Sequence, residues 1–145
     1  MKKRILLSLI ISLIYTVGKS QTASVEKSTY GIQTGLLGIW VHNEMKLTNQ
    51  IALRTEFGVN ASIFGGNFYP KTGFLMTPVI SVEPRWYYNL EKRLSKSKSI
   101  SGNSGNFVSL QTSYHPDWFV ISNYDNLKTF NLITIIPTWG IKRNI

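Results

Sequence analysis

Ser113, His115 and Asp117 bring the residue types of a hydrolytic triad within five positions of one another. A triad works when the histidine takes the serine proton and the carboxylate orients the imidazole, so all three must meet at one point. Here they crowd at a strand end around Pro116, where the alternation of a strand does not converge all three on one point. That spacing does not bring them together, and no catalytic residue is assigned. The two histidines, His42 and His115, each lack a second ligand at metal spacing, so no metal or other cofactor is expected. Gly65-Gly66 reads as turn chemistry and not as a phosphate cradle.

A more informative set is Arg54, Glu56, Glu83 and Arg85. Each Arg/Glu pair is spaced by two, so both members share one face of a strand. On adjacent antiparallel strands the four form one charge network. A register setting Arg54 against Arg85 also sets Glu56 against Glu83. A shift of two residues instead opposes Arg54 with Glu83, or Glu56 with Arg85, and is preferred. The expected role is a charge ladder filling an interior, ahead of a conducting or substrate site.

The elements that position these residues follow from period-two alternation. After Gly73, positions Phe74, Met76, Pro78, Ile80, Val82, Pro84, Trp86, Tyr88 and Leu90 form one apolar face, and Glu83 and Arg85 lie on the other. From Ile51 to Ile63 the odd positions are apolar or Thr, and the even ones include Arg54, Glu56 and Asn60. Further runs span Tyr30 to Trp40, Phe107 to Tyr114 and Asn131 to Lys142. The charged faces cannot meet hydrocarbon without a large cost, so they are expected to face a narrow, filled lumen. Tyr30 and Trp40, read as one strand, would lie about 33 Å apart, or about 25 Å after tilt, matching the two aromatic belts of a membrane barrel. Trp86, Tyr88 and Trp139 are expected in the same belts. Pro78 and Pro84 share parity and remove ladder donors on one side of their strand.

The chain of 145 residues has room for one domain. Met1-Lys2-Lys3-Arg4 followed by the apolar run Ile5 to Val17 has the layout of a signal peptide, residues 1–20, with cleavage expected after Ser20 or, alternatively, Ala23. The net charge of +9 then falls to +5, since Lys2, Lys3, Arg4 and Lys19 are removed. Export argues against a nucleic-acid partner. The absence of cysteine excludes a lipid anchor on that residue and a disulfide-stapled fold. The remaining surplus is concentrated in Lys92, Arg93, Lys96 and Lys98. With five strands counted from a periplasmic N-terminus, this loop falls outside the cell. It reads first as solvated, and second as a binder of lipopolysaccharide phosphates or another anionic surface.

Gly38-Ile39-Trp40, Leu53-Arg54-Thr55-Glu56, the run Pro78 to Leu90 with its Glu-Pro-Arg-Trp-Tyr-Tyr-Asn string, Ser101 to Phe107, and Ile136-Pro137-Thr138-Trp139-Gly140 resemble the small outer-membrane β-barrel family common in Bacteroidetes. The resemblance covers nearly all of residues 21–145 and implies an antiparallel up-and-down transmembrane β-barrel. It also implies an outer-membrane address, outer-membrane lipid and lipopolysaccharide as surroundings, and the barrel-assembly machinery as a partner in biogenesis. It implies no reaction. Five strands of an expected eight, and the ending Lys142-Arg143-Asn144-Ile145 without a terminal aromatic, are expected to reflect a sequence truncated at its C-terminus. The expected function is structural or surface interaction. The rivals are an outer-membrane lipid-modifying enzyme and a soluble periplasmic barrel that binds an apolar ligand in its interior.

Overall fold

A hairpin stands where the sequence suggests one long strand. The structure is a computed structural model that describes residues 22–144, so the expected signal peptide lies outside the described residues. Strands β1 (Ser28–Gly35) and β2 (Gly38–Lys46) are joined by Leu36-Leu37, with Gly35 opposite Gly38. Apolar residues at the tip hide this turn, because two-residue hairpins usually announce themselves with Asn-Gly or Asp-Gly. The unusual backbone falls on Gly38 instead, whose φ of +145° an L side chain rarely adopts.

β3 (Ile51–Phe64), β4 (Gly73–Tyr87), β5 (Gly105–His115) and β7 (Leu132–Lys142) follow in meander order, and each pairs antiparallel with its predecessor in the sheet. A two-residue β6 (Ile121–Ser122) pairs with Leu75 and Met76 above the end of β5. The order is β1-β2-β3-β4-β5-β7. The described residues thus form seven strands, six of them long, and not five. The sheet is also not closed: β1 and β7 are its two edges.

It is nevertheless strongly curled. Glu44 on β2 and Lys142 on β7 stand four strands apart, about 19 Å across a flat sheet. Their side chains meet at 3.0 Å. The sheet is therefore a trough with an inner and an outer face. Its base carries the start of β1, the β2–β3 turn, the β4–β5 connection and the end of β7. Its rim carries the Leu36-Leu37 turn, residues 65–72 and residues 116–131.

The extra hairpin changes the position of the basic loop. Lys92, Arg93, Lys96 and Lys98 lie at the base, the end where the described chain begins, and not at the opposite end. Direct contacts fix this: the Glu26 backbone N–H donates to Asn103 Oδ1 at 2.6 Å, and Gly102 N–H donates to the Glu26 carboxylate. The connection carries a short helix α1 (Leu90–Leu94) and a 3-10 turn (Ser101–Asn103). With the segment 22–27 they plug the base over a small apolar core of Ala23, Val25, Ala52, Tyr87, Leu90 and Phe107.

Glycines on the inner face serve the rings beside them. Register partners are Trp40 with Gly58, His42 with Gly31, Phe107 with Gly140 and Phe64 with Gly73. In each pair a Cβ on the glycine would stand inside the van der Waals radius of the partner ring, so the ring lies over the bare backbone of the next strand. The prolines are accommodated along β4. The β4–β5 pairs run Ile80–Val82 and Arg85–Tyr87, skipping Pro84, and Pro78 lies between the end of β5 and β6. The β3 ladder on the other side is uninterrupted.

Two glycines of the inner face test this packing. Gly58→Val is expected to cost about 1–3 kcal/mol, because its Cβ would overlap the Ile39 carbonyl as well as the Trp40 ring, despite valine's preference for strands. Gly35→Val meets nothing within 4 Å and is expected to be nearly neutral. Urea unfolding of the two variants in detergent checks this, and equal midpoints would refute it.

Candidate functional site

The inner face of the trough is charged and hydrogen-bonded. Arg54 stands opposite Glu83, one of the two pairings that charge opposition favours. The shortest ion pairs nevertheless run along the strands: Arg54 to Glu56 at 2.5 Å and Arg85 to Glu83 at 2.7 Å. Arg54 also donates to Gln33 Oε1 at 3.0 Å, and Ser109 Oγ donates to Glu83 at 2.6 Å. The four residues thus share one face but do not make a single cross-strand ring.

What joins the network is Glu44, which is fully buried. One carboxylate oxygen accepts from Tyr87 Oη at 2.6 Å and from Asn103 Nδ2 at 2.8 Å. The other accepts from Lys142 Nζ at 3.0 Å and from Arg85 at 3.5 Å. The Arg85 guanidinium lies 4.3 Å from the centre of the Phe107 ring, which itself lies over Gly140. Three anions (Glu44, Glu56, Glu83) and three cations (Arg54, Arg85, Lys142) make the interior electroneutral. The sequence run that ends at Trp40 stops short of Glu44, whose alternation with His42 and Trp40 is the signal that could have found it.

Toward the rim the interior is less filled. A cavity of about 310 Å³ lies among Trp40, Asn60, Gln111, Ser113 and His115. Ser113 Oγ shares a 2.8 Å hydrogen bond with Ser81 Oγ. No hydrogen bond joins Ser113, His115 and Asp117, and the Asp117 N–H is used to reach Asn131. The sequence trio is not assembled into a relay.

The outer face is the reverse. Ile32, Phe57, Trp86, Leu110, Ile133 and Trp139 all lie on it and are exposed, Ile32 by 71% and Trp139 by 60%. Trp86, Val108 and Trp139 form one register row near the base. The Trp139 indole N–H donates to Tyr88 Oη at 2.8 Å, and the Trp86 and Tyr88 rings meet edge-on at 6.1 Å. Tyr30 is on the same outer face, higher up and 81% exposed. Trp40 is not: it is on the inner face, where its indole N–H donates to Asn60 Oδ1 at 2.8 Å. Tyr30 and Trp40 therefore do not mark two belts of one strand. A second aromatic group exists at the rim, with Phe74, Trp118, Phe119 and Phe130 exposed there. Phe74 and Trp86 are twelve residues apart on β4, about 40 Å along the strand and about 30 Å after a tilt near 40°.

Removing the Glu44 carboxylate is expected to leave Lys142 without an anion and the buried Tyr87 hydroxyl and Asn103 amide without their acceptor, while Arg85 keeps Glu83. Glu44→Leu should lower stability by about 3–5 kcal/mol. Combining it with Lys142→Met should recover part of that loss. Denaturant unfolding of the single and double variants in micelles measures both, and a single variant as stable as the parent would refute the role. No protein-family model, curated protein or solved structure matches the chain, so the reading of this site rests on its own geometry.

Proposed function

We propose that this chain forms the wall of a transmembrane β-barrel of the outer-membrane type, with a structural or surface-interaction role and no reaction of its own. The observation that carries this is the inverted polarity of the sheet. Arg54, Glu83 and Glu44 are buried on one face while Ile32, Phe57, Ile133 and Trp139 are exposed on the other. In water such a surface is a liability; against hydrocarbon it is the stable arrangement. A barrel that carries an apolar ligand inside would need the opposite arrangement, with the apolar face turned in.

Lipid does not satisfy a bare strand edge, so β1 and β7 must be paired within the membrane. The electroneutral interior and the plugged base argue for a closed lumen and against an ion-selective pore. Outer-membrane lipid and lipopolysaccharide would surround the outer face, and the barrel-assembly machinery would act on the chain after export.

Single-tryptophan versions of the protein, reconstituted in vesicles with brominated lipid, test the reading. Trp86 and Trp139 should be strongly quenched and Trp40 largely spared. The protein should also leave the membrane fraction only with detergent. Recovery as a soluble periplasmic protein, or equal quenching at all three positions, would overturn the proposal.

A further inference from the structure

The described residues carry their entire charge surplus at one end. Inside the trough three cations balance three anions. At the rim, Lys71 and Lys128 balance Asp117 and Asp125. At the base, Lys27, Lys46 and Arg143 join the four cations of the α1 connection, Lys92, Arg93, Lys96 and Lys98, against Glu26 and Glu91 alone. Seven cations face two carboxylates, a surplus of five, which is the whole net charge of the described chain.

These cations are not spent on ion pairs. Every ion pair among the described residues lies in the interior and uses Arg54, Arg85 or Lys142. Lys27, Lys46, Lys92, Lys96, Lys98 and Arg143 are exposed, and Arg93 is half-buried with its guanidinium on the Ser99 carbonyl at 2.7 Å. The backbone holds the group in place: Arg93 N–H bonds to the Asn89 carbonyl, and Lys98 N–H bonds back to the Arg93 carbonyl.

Their level on the molecule is set by the aromatic row. Tyr88, bonded to Trp139 and touching Trp86, is two residues before α1, which carries Lys92 and Arg93. Apolar strand, then an indole and phenol belt, then a cationic ring is the order in which a bilayer presents hydrocarbon, interface and headgroups. The rim has aromatics but no charge surplus, so the two ends are not equivalent.

We infer that the base of the trough docks on anionic phospholipid headgroups, with Lys92, Lys96 and Lys98 as the principal contacts. This rests on the membrane reading above and adds to it a lipid preference and a distinction between the two ends. The docking is electrostatic, weakens with salt, and needs no closed pocket.

The test compares the full mature chain with a Lys92→Glu/Lys96→Glu/Lys98→Glu variant. Both are presented to phosphatidylcholine vesicles with and without phosphatidylglycerol, and association is followed by tryptophan fluorescence and flotation. Both proteins should enter pure phosphatidylcholine alike. Phosphatidylglycerol should strengthen association of the parent by about tenfold or more, and the variant or high salt should abolish that gain. An equal gain for parent and variant would overturn the inference while leaving the membrane reading intact. Failure of both to enter either vesicle would overturn the membrane reading, and this inference with it.

Discussion

Everything at the base of the trough depends on one carboxylate having nowhere to go but into four hydrogen bonds. Glu44 is drawn out of water, and burial of an unpaired anion would cost more than the domain can spare. Its donors come from β4 (Tyr87, Arg85), β7 (Lys142) and the turn before β5 (Asn103). Satisfying Glu44 therefore specifies the curl of the sheet, the seat of the plug and the position of the final described strand together. Asn103 transmits the constraint further, since its other side-chain atom accepts from the Glu26 backbone and ties the first described residues to the same point. Its left-handed backbone, φ 60°, is one that asparagine tolerates better than most residues.

Around that point the sheet follows an inside-out logic. The apolar core is a patch at the plug, and most large apolar side chains of the strands spread over the outer face. Packing inside is achieved by rings laid over glycines and by paired charges rather than by interdigitated aliphatics. The glycines opposite Trp40, His42, Phe107 and Phe64 let flat side chains settle along the sheet, which keeps a narrow interior from being overfilled. Arg85 then stacks on Phe107, so an apolar contact holds the cation that the carboxylates require.

Much of this was legible in the alternation. The strands through Arg54 and Glu83, their shared face and a choice of two registers, one of which opposes the two, followed from period two and from charge. The hairpin did not, because Leu36-Leu37 carries none of the usual turn chemistry and extends the apolar pattern of its flanks. That one omission had three consequences. It made Tyr30 and Trp40 ends of a single strand, when they lie on neighbouring strands and opposite faces. It left Glu44 outside every strand. It also moved the basic connection to the wrong end, since each missed strand reverses the direction of all that follow. The long reach from Glu44 to Asn103 and Lys142 had no local signal at all, because pairwise contacts between distant segments leave no periodicity behind.

The separation of 98 positions from Glu44 to Lys142 also carries a kinetic meaning. Local hairpins such as β1–β2 and β3–β4 close cheaply, whereas this clasp requires β3, β4 and β5 to be laid down between its two halves first. Until β7 arrives, Glu44 lacks its lysine and the base stays wet. The buried carboxylate thus acts as an assembly check: the interior becomes dry at that end only when the β1–β2 hairpin and β7 have found each other.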